Sequence, residues 1–170
     1  MIQLINTNNI KGQCNMGSSI EQKVERLTEA NRVIGAISRH GRRFFHYGGS
    51  ERRQADGSFK YEAADRTARL ELRRGRLYFI DDYSEKAIYT HDTKPFGNNW
   101  SGFSHGGTLK DLVKAMRDYV LTGRQIHPGY IGLQRQWADG DIWGYGMVAL
   151  AAVRAEIGES PMFFKVEDKP

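Results

Sequence analysis

One cysteine, Cys14, stands in a chain of 170 residues, so no internal disulfide can form and a reducing compartment is expected. There are four prolines, no internal repeat and no low-complexity tract, which excludes fibrous and solenoid architectures. No apolar run approaches the ~20 residues that a membrane-crossing helix needs. The stretch from Met1 to Asn9 has neither a basic n-region nor an apolar h-region, so no signal peptide and a cytoplasmic location are expected. The five histidines, His40, His46, His91, His105 and His127, show no close ligand spacing, and Cys14 has no second cysteine. No metal and no cofactor are therefore expected. A P-loop is missing, as is a glycine fingerprint inside a βαβ unit.

The chain does carry charge, and it is unevenly placed. The net charge is +5. Between Arg39 and Arg76 stand eleven Lys/Arg, ten of them Arg, against five acids. The rest of the chain holds fourteen basic and fifteen acidic residues, so the whole positive excess falls in this one segment. Guanidinium groups suit phosphates and carboxylates, which makes an anionic partner plausible. Arg42, Arg43, Arg52, Arg53, Arg69, Arg73 and Arg76 are the candidate contacts for a partner or a nucleic acid.

The patterning predicts a loosely ordered arm over 1–17 and a single α+β domain over 18–166. Ser18 and Ser19 precede Glu21 and Gln22 by three residues, giving overlapping capping boxes. Ile20, Val24, Leu27, Ile34 and Ile37 follow as a helical stripe, predicting a helix over about 19–39 that Gly41 would cap. Arg42 to Tyr47 reads as a strand stopped by Gly48 and Gly49, and 50–65 as an irregular hairpin arm with a turn at Asp56-Gly57. From Thr67 to Arg73 the alternation is strict, with Ala68, Leu70 and Leu72 on one face and Arg69, Glu71 and Arg73 on the other. A turn at Arg74-Gly75 leads to a strand over Arg76–Ile80. A second turn at Asp81 to Ser84 leads to one over Ala87–His91. The wet face of that meander would show Arg69, Arg73 and Arg76.

Thr108 reads as the N-cap of a second helix carrying Leu109, Leu112, Val113, Met116, Tyr119 and Val120, with Gly123 closing it. An alanine-rich helix is expected over Met147–Ile157 and a short edge strand over Pro161–Val166. The fold class is thus α+β. An antiparallel three- to five-stranded sheet would have an N-terminal helix and two C-terminal helices packed on one face.

Two loops are candidates for chemistry. Ser104, His105, Gly106, Gly107 and Thr108 stand where a helix begins, and free N–H groups with the positive end of the helix dipole favour an anion there. The same residues also suit a tight strand-to-helix turn. Around Asp141 and Trp143, glycines alternate with aromatics, which suits either stacking on a ligand or plugging the core beneath a helix. Ligand binding would use Ser104 to Thr108 together with Trp143. In an enzyme, His105, His91 and Asp141 would carry the acid–base work. The expectation leans to a non-enzyme.

The stretches Arg76 to Tyr83, Ile88 to His91, Gly102 to Thr108 and Gly140 to Gly146 resemble a family of small accessory proteins of bacteriophages and prophages. The resemblance covers roughly 66–157 and brings no catalytic residue with it. It implies a protein of the host cytoplasm that binds and blocks a host component, with anti-defence inhibition of the anti-CRISPR kind as the specific expectation. The partner would be a host protein or ribonucleoprotein complex, met through the Arg-rich surface, and no membrane is implied. The alternatives are a nucleic-acid-binding protein and a small nucleotide- or phosphate-binding protein or enzyme using 104–108. The basic balance disfavours mimicry of DNA. The helix–sheet–helix order is also loosely similar to double-stranded RNA-binding domains, which would imply RNA as partner.

Overall fold

The computed structural model describes residues 17–40, 45–91, 106–128 and 147–165. Their order is α1 (Ile20–His40), β1 (His46–Arg53), β2 (Phe59–Thr67), β3 (Arg69–Arg73), β4 (Arg76–Ile80), β5 (Ala87–Tyr89), α2 (Gly106–Thr122) and α3 (Met147–Ile157). This is the α+β class expected. Within it the strands form two small antiparallel sheets, β1-β2 and β3-β4-β5, rather than one sheet. The break falls at Ala68, which is buried and donates its N–H to the Phe45 carbonyl at 2.8 Å.

Helix α1 begins with the capping box that its sequence predicts. The Ser19 N–H donates to Gln22 Oε1 at 2.9 Å, and the Gln22 N–H donates back to Ser19 Oγ at 3.2 Å. Only its second half is buried, through Ala30, Val33, Ile34, Ala36, Ile37 and Ser38. Ile20 and Val24 head the predicted stripe yet are exposed among the described residues.

Asn31 ties this helix to the meander. Its Nδ2 donates to the Leu70 carbonyl at 2.9 Å, and its Oδ1 accepts the Leu70 N–H at 2.7 Å. Strand β3 pairs with β4 on one side only, so the side-chain amide fills its open edge as a strand would.

The first hairpin is more regular than its sequence suggests. Gly49 does not stop β1 but makes a bulge between Tyr47 and Gly49, after which the ladder runs on to Arg53 opposite Phe59. Its φ is +111°, and a Cβ there would lie 2.2 Å from the Glu62 carbonyl oxygen. The turn is where Asp56-Gly57 placed it, with Asp56 Oδ1 accepting from the Ser58 N–H and hydroxyl at 2.9 and 2.6 Å.

In the meander the register is continuous, Leu70 facing Phe79 and Phe79 facing Ile88 on the buried side. Arg74 and Gly75, both at positive φ, make the two-residue turn between β3 and β4. Asp81 holds the next turn, accepting from the Ser84 N–H at 2.8 Å and its hydroxyl at 2.6 Å.

The core joins Phe45, Leu70, Leu77 and Phe79 to α1, to Leu109, Leu112 and Met116 of α2, and to Leu150 and Val153 of α3. Helix α1 touches α2, α3 and β3. Helix α2 starts at Gly106, two residues before the predicted cap. Thr108 therefore lies inside the first turn, where N–H groups have no intrahelical partner and glycine costs little. Gly123 closes α2 as expected, its N–H donating to the Tyr119 carbonyl at 2.8 Å. The predicted edge strand near 161–166 is reduced to one parallel bridge between Ile126 and Phe163.

Candidate nucleic-acid interface

Alternation decides what the meander shows to the outside. With Leu70, Leu77, Phe79 and Ile88 turned to the core, the opposite parity places Arg69, Glu71 and Arg73 beside Arg76, Tyr78 and Tyr89 on the outer face. Glu71 faces Tyr78, Tyr78 faces Tyr89, and Arg73 faces Arg76 across the ladder. Leu72, expected on the inner face, is partly buried against the core.

The face is built of flat groups in contact. The Tyr78 and Tyr89 rings lie 5.5 Å apart, tilted by 41°. The His91 ring continues the row, 5.4 Å from Tyr89 at the same tilt. The Arg73 guanidinium sits 5.5 Å above Tyr78, and that of Arg76 5.6 Å above Tyr89. Glu71 is the one acid among these residues. Its Oε1 accepts from Arg69 Nε at 2.9 Å, and its Oε2 from Arg73 Nε and Nη2 at 2.9 and 2.5 Å. The hydrogen bond from Arg73 acts most strongly and, with that from Arg69 and the charges of both, outweighs desolvation to hold the Glu71 carboxyl below its ordinary range. It is anionic at neutral pH. Three arginines against one glutamate leave the face positive.

The wider basic segment is less positive in space than along the chain. Arg52 pairs with Glu62 at 2.9 Å and Arg66 with Glu85 at 2.9 Å, while Arg39 is held by Glu156. Two of these three acids, Glu85 and Glu156, come from outside the segment. Arg53 ends β1 beside the hairpin turn, opposite Phe59. Arg42 and Arg43 fall outside the described residues. What survives as concentrated charge is the outer face of β3 and β4.

The loop candidates are only partly in view. Ser104, His105, Asp141 and Trp143 lie outside the described residues, and Gly106, Gly107 and Thr108 form the first turn of α2. His91 is described, and its ring packs on Tyr89. Next to it, Thr90 is anchored by its hydroxyl donating to the Leu77 carbonyl at 2.8 Å, and its own carbonyl accepts from Arg117 Nη1 of α2 at 2.9 Å. Sequence reasoning put Glu71 on this face with Arg69 and Arg73 but missed Tyr78 and Tyr89. The signal for Tyr78 was its i, i+2 spacing from Arg76, whereas Tyr89 joins the face through the pairing of β4 with β5.

A second cluster lies where the first hairpin meets the turn after β4. Arg66 lies 4.5 Å over the Tyr47 ring, Tyr47 meets Tyr83 edge-on at 5.0 Å, and His46 Nε2 lies 2.9 Å from Asp65 Oδ1. Burial, helped by the charge of Asp81 and opposed by His46 and Arg66, pushes the Asp82 carboxyl up to about 6. Beside it a cleft of about 440 Å³ is lined by Ser38, Arg39, His46, Tyr61 and Asp65 among others. Among the described residues, no three His, Cys, Asp or Glu are placed to hold a metal ion, and no helix is long and apolar enough to cross a membrane.

Comparison with known proteins places the chain among prophage-derived proteins. It is 24% identical over 139 residues to the SPbeta prophage-derived uncharacterized protein YoqU of Bacillus subtilis (strain 168), covering 82% of this chain and 83% of that protein. No solved structure matches. The YoqU family model matches residues 52–168, a span holding the whole meander and the four stretches that carried the phage resemblance. The chain belongs to the YoqU family.

Proposed function

We propose that this protein is a non-enzymatic accessory protein of phage origin that binds nucleic acid through the outer face of β3-β4-β5, and that it acts on a host ribonucleoprotein by this contact. One observation carries the reading: Arg69, Arg73 and Arg76 share a face with Tyr78, Tyr89 and His91, and Glu71 is the only acid among them. An acidic protein surface would satisfy the arginines as ion pairs and would pack on the rings without reading their spacing. A nucleic acid satisfies both, with phosphates for the guanidinium groups and bases or sugars for the aromatic planes. Engaging the nucleic acid of a host complex is the route by which such a protein would block host defence.

The test is an electrophoretic titration of labelled nucleic acids with the wild type and with the triple variant Arg69→Glu, Arg73→Glu, Arg76→Glu. The reversal should abolish binding while far-UV circular dichroism and the melting temperature stay close to wild type. A folded triple variant that binds as tightly as wild type would exclude this face.

A further inference from the structure

We infer that the face of β3-β4-β5 takes single-stranded RNA, with bases stacked on Tyr78 and Tyr89 and Glu71 accepting a ribose 2′-hydroxyl. The inference rests on the nucleic-acid reading above and narrows it to one class of strand.

Three features select a single strand over a duplex. In a duplex the base planes are buried against one another, so a protein meets mainly phosphates, sugars and groove edges. The row Tyr78, Tyr89 and His91 offers flat apolar surface, which only unstacked bases can use. The row is also short, three rings at spacings of 5.5 and 5.4 Å, a length for two or three nucleotides. The guanidinium groups of Arg73 and Arg76 lie over the rings rather than in a stripe of their own, so phosphate contacts fall next to base contacts along one strand.

Glu71 selects RNA over DNA. It stands across the ladder from Tyr78, its carboxylate fixed by Arg69 and Arg73. A carboxylate is an acceptor and nothing else, and it repels phosphate. A DNA backbone has no donor to give it, and passing over it would bring phosphate against carboxylate. An RNA strand brings a 2′-hydroxyl, which takes the place of one guanidinium N–H on the carboxylate and so turns the one unfavourable group on the face into a contact, freeing that N–H for phosphate. The two arginines keep spare N–H groups for the adjoining phosphates, since each guanidinium carries five.

Fluorescence anisotropy with labelled strands of about twelve nucleotides tests this, one sequence being offered as single-stranded RNA, single-stranded DNA, RNA duplex and DNA duplex. Single-stranded RNA should bind best, at least about fivefold tighter than single-stranded DNA. Tyr78→Ala and Tyr89→Ala should each weaken binding about tenfold, whereas Tyr78→Phe, which keeps the ring and the sheet packing, should bind as wild type does. Glu71→Gln should tighten binding of DNA more than of RNA and narrow the ratio to about twofold or less. A duplex binding as tightly as the single strand, or affinity unchanged in folded Tyr78→Ala, overturns the inference and leaves the broader nucleic-acid reading standing. Equal affinity of wild type for single-stranded RNA and DNA overturns the role of Glu71. Failure to bind any of the four overturns the inference and the broader reading together.

Discussion

Replacing Asn31 with alanine should loosen the joint between α1 and the meander. The side chain makes two hydrogen bonds, accepting from the Leu70 N–H at 2.7 Å and donating to the Leu70 carbonyl at 2.9 Å. Leu70 is only 1% exposed, so its backbone groups would have little access to replacement water. A buried group stripped of its partner costs about 1–3 kcal/mol. With two groups stranded, and some relief from water at a half-buried edge, the loss should be about 2–3 kcal/mol. That is a large share of the ~5–15 kcal/mol by which domains are stable. For a chain of this size it corresponds to a fall in melting temperature of about 5–10 °C. Urea denaturation followed by circular dichroism would measure it as a lower midpoint with an unchanged slope. Arg69→Ala, on the neighbouring solvent-facing residue, serves as control and should move stability by no more than about 0.5 kcal/mol. A loss below about 0.5 kcal/mol for Asn31→Ala would refute the claim that this amide completes the β3 edge.

Burial of Asp82 should make stability depend on pH in a stated direction. A carboxyl raised to about 6 in the fold stays protonated while that of the unfolded chain ionises, so stability falls as pH climbs from the unfolded value to about 6 and levels off above it. Asp82→Asn should therefore stabilise by about 1 kcal/mol at pH 7.5, a figure reduced for solvent screening, and by close to nothing at about pH 3, where the carboxyl is protonated in both states. Equal gains at both pH values would show that the charge is not the cause. Two glycines at positive φ should respond differently to alanine. Gly49→Ala puts a Cβ 2.2 Å from the Glu62 carbonyl oxygen and should cost more than about 2 kcal/mol. Gly75→Ala, with open space around the new Cβ, should cost only about 1 kcal/mol in thermal melts.

What could be read from the chain was what neighbours in sequence decide. The capping box at Ser19 and Gln22, the Arg74-Gly75 turn, the Asp81 turn and Gly123 are all local devices, and each stands where it was expected. The strict alternation from Ala68 to Arg73 likewise told inside from outside. The departures come from contacts that sequence order hides. Gly49 reads as a strand breaker until β2 runs past it and turns the break into a bulge. The split into two sheets falls at the buried Ala68, and α2 starts at Gly106, two residues ahead of Thr108. Charge misled in the same way. Arg39 and Arg66 belong to the basic segment by position but answer to Glu156 and Glu85 in space, whereas Arg69 and Arg73 share the single acid Glu71 and with Arg76 leave their face net positive. Of the candidate site residues, those on the meander could be placed by alternation alone. The aromatic row became visible only through the pairing of β4 with β5.

The central claim is that the arginines of the outer sheet face meet phosphates, and the salt dependence of binding measures this most directly. Three phosphate contacts on a single strand predict a slope of log K against log salt of about −2, and Arg76→Ala should lower its magnitude by about 0.7. Measurable binding of wild type to single-stranded RNA at low salt with that slope, reduced in folded Arg76→Ala, is the predicted result. No binding at low salt, or binding whose salt slope is unchanged by Arg76→Ala, would contradict the account.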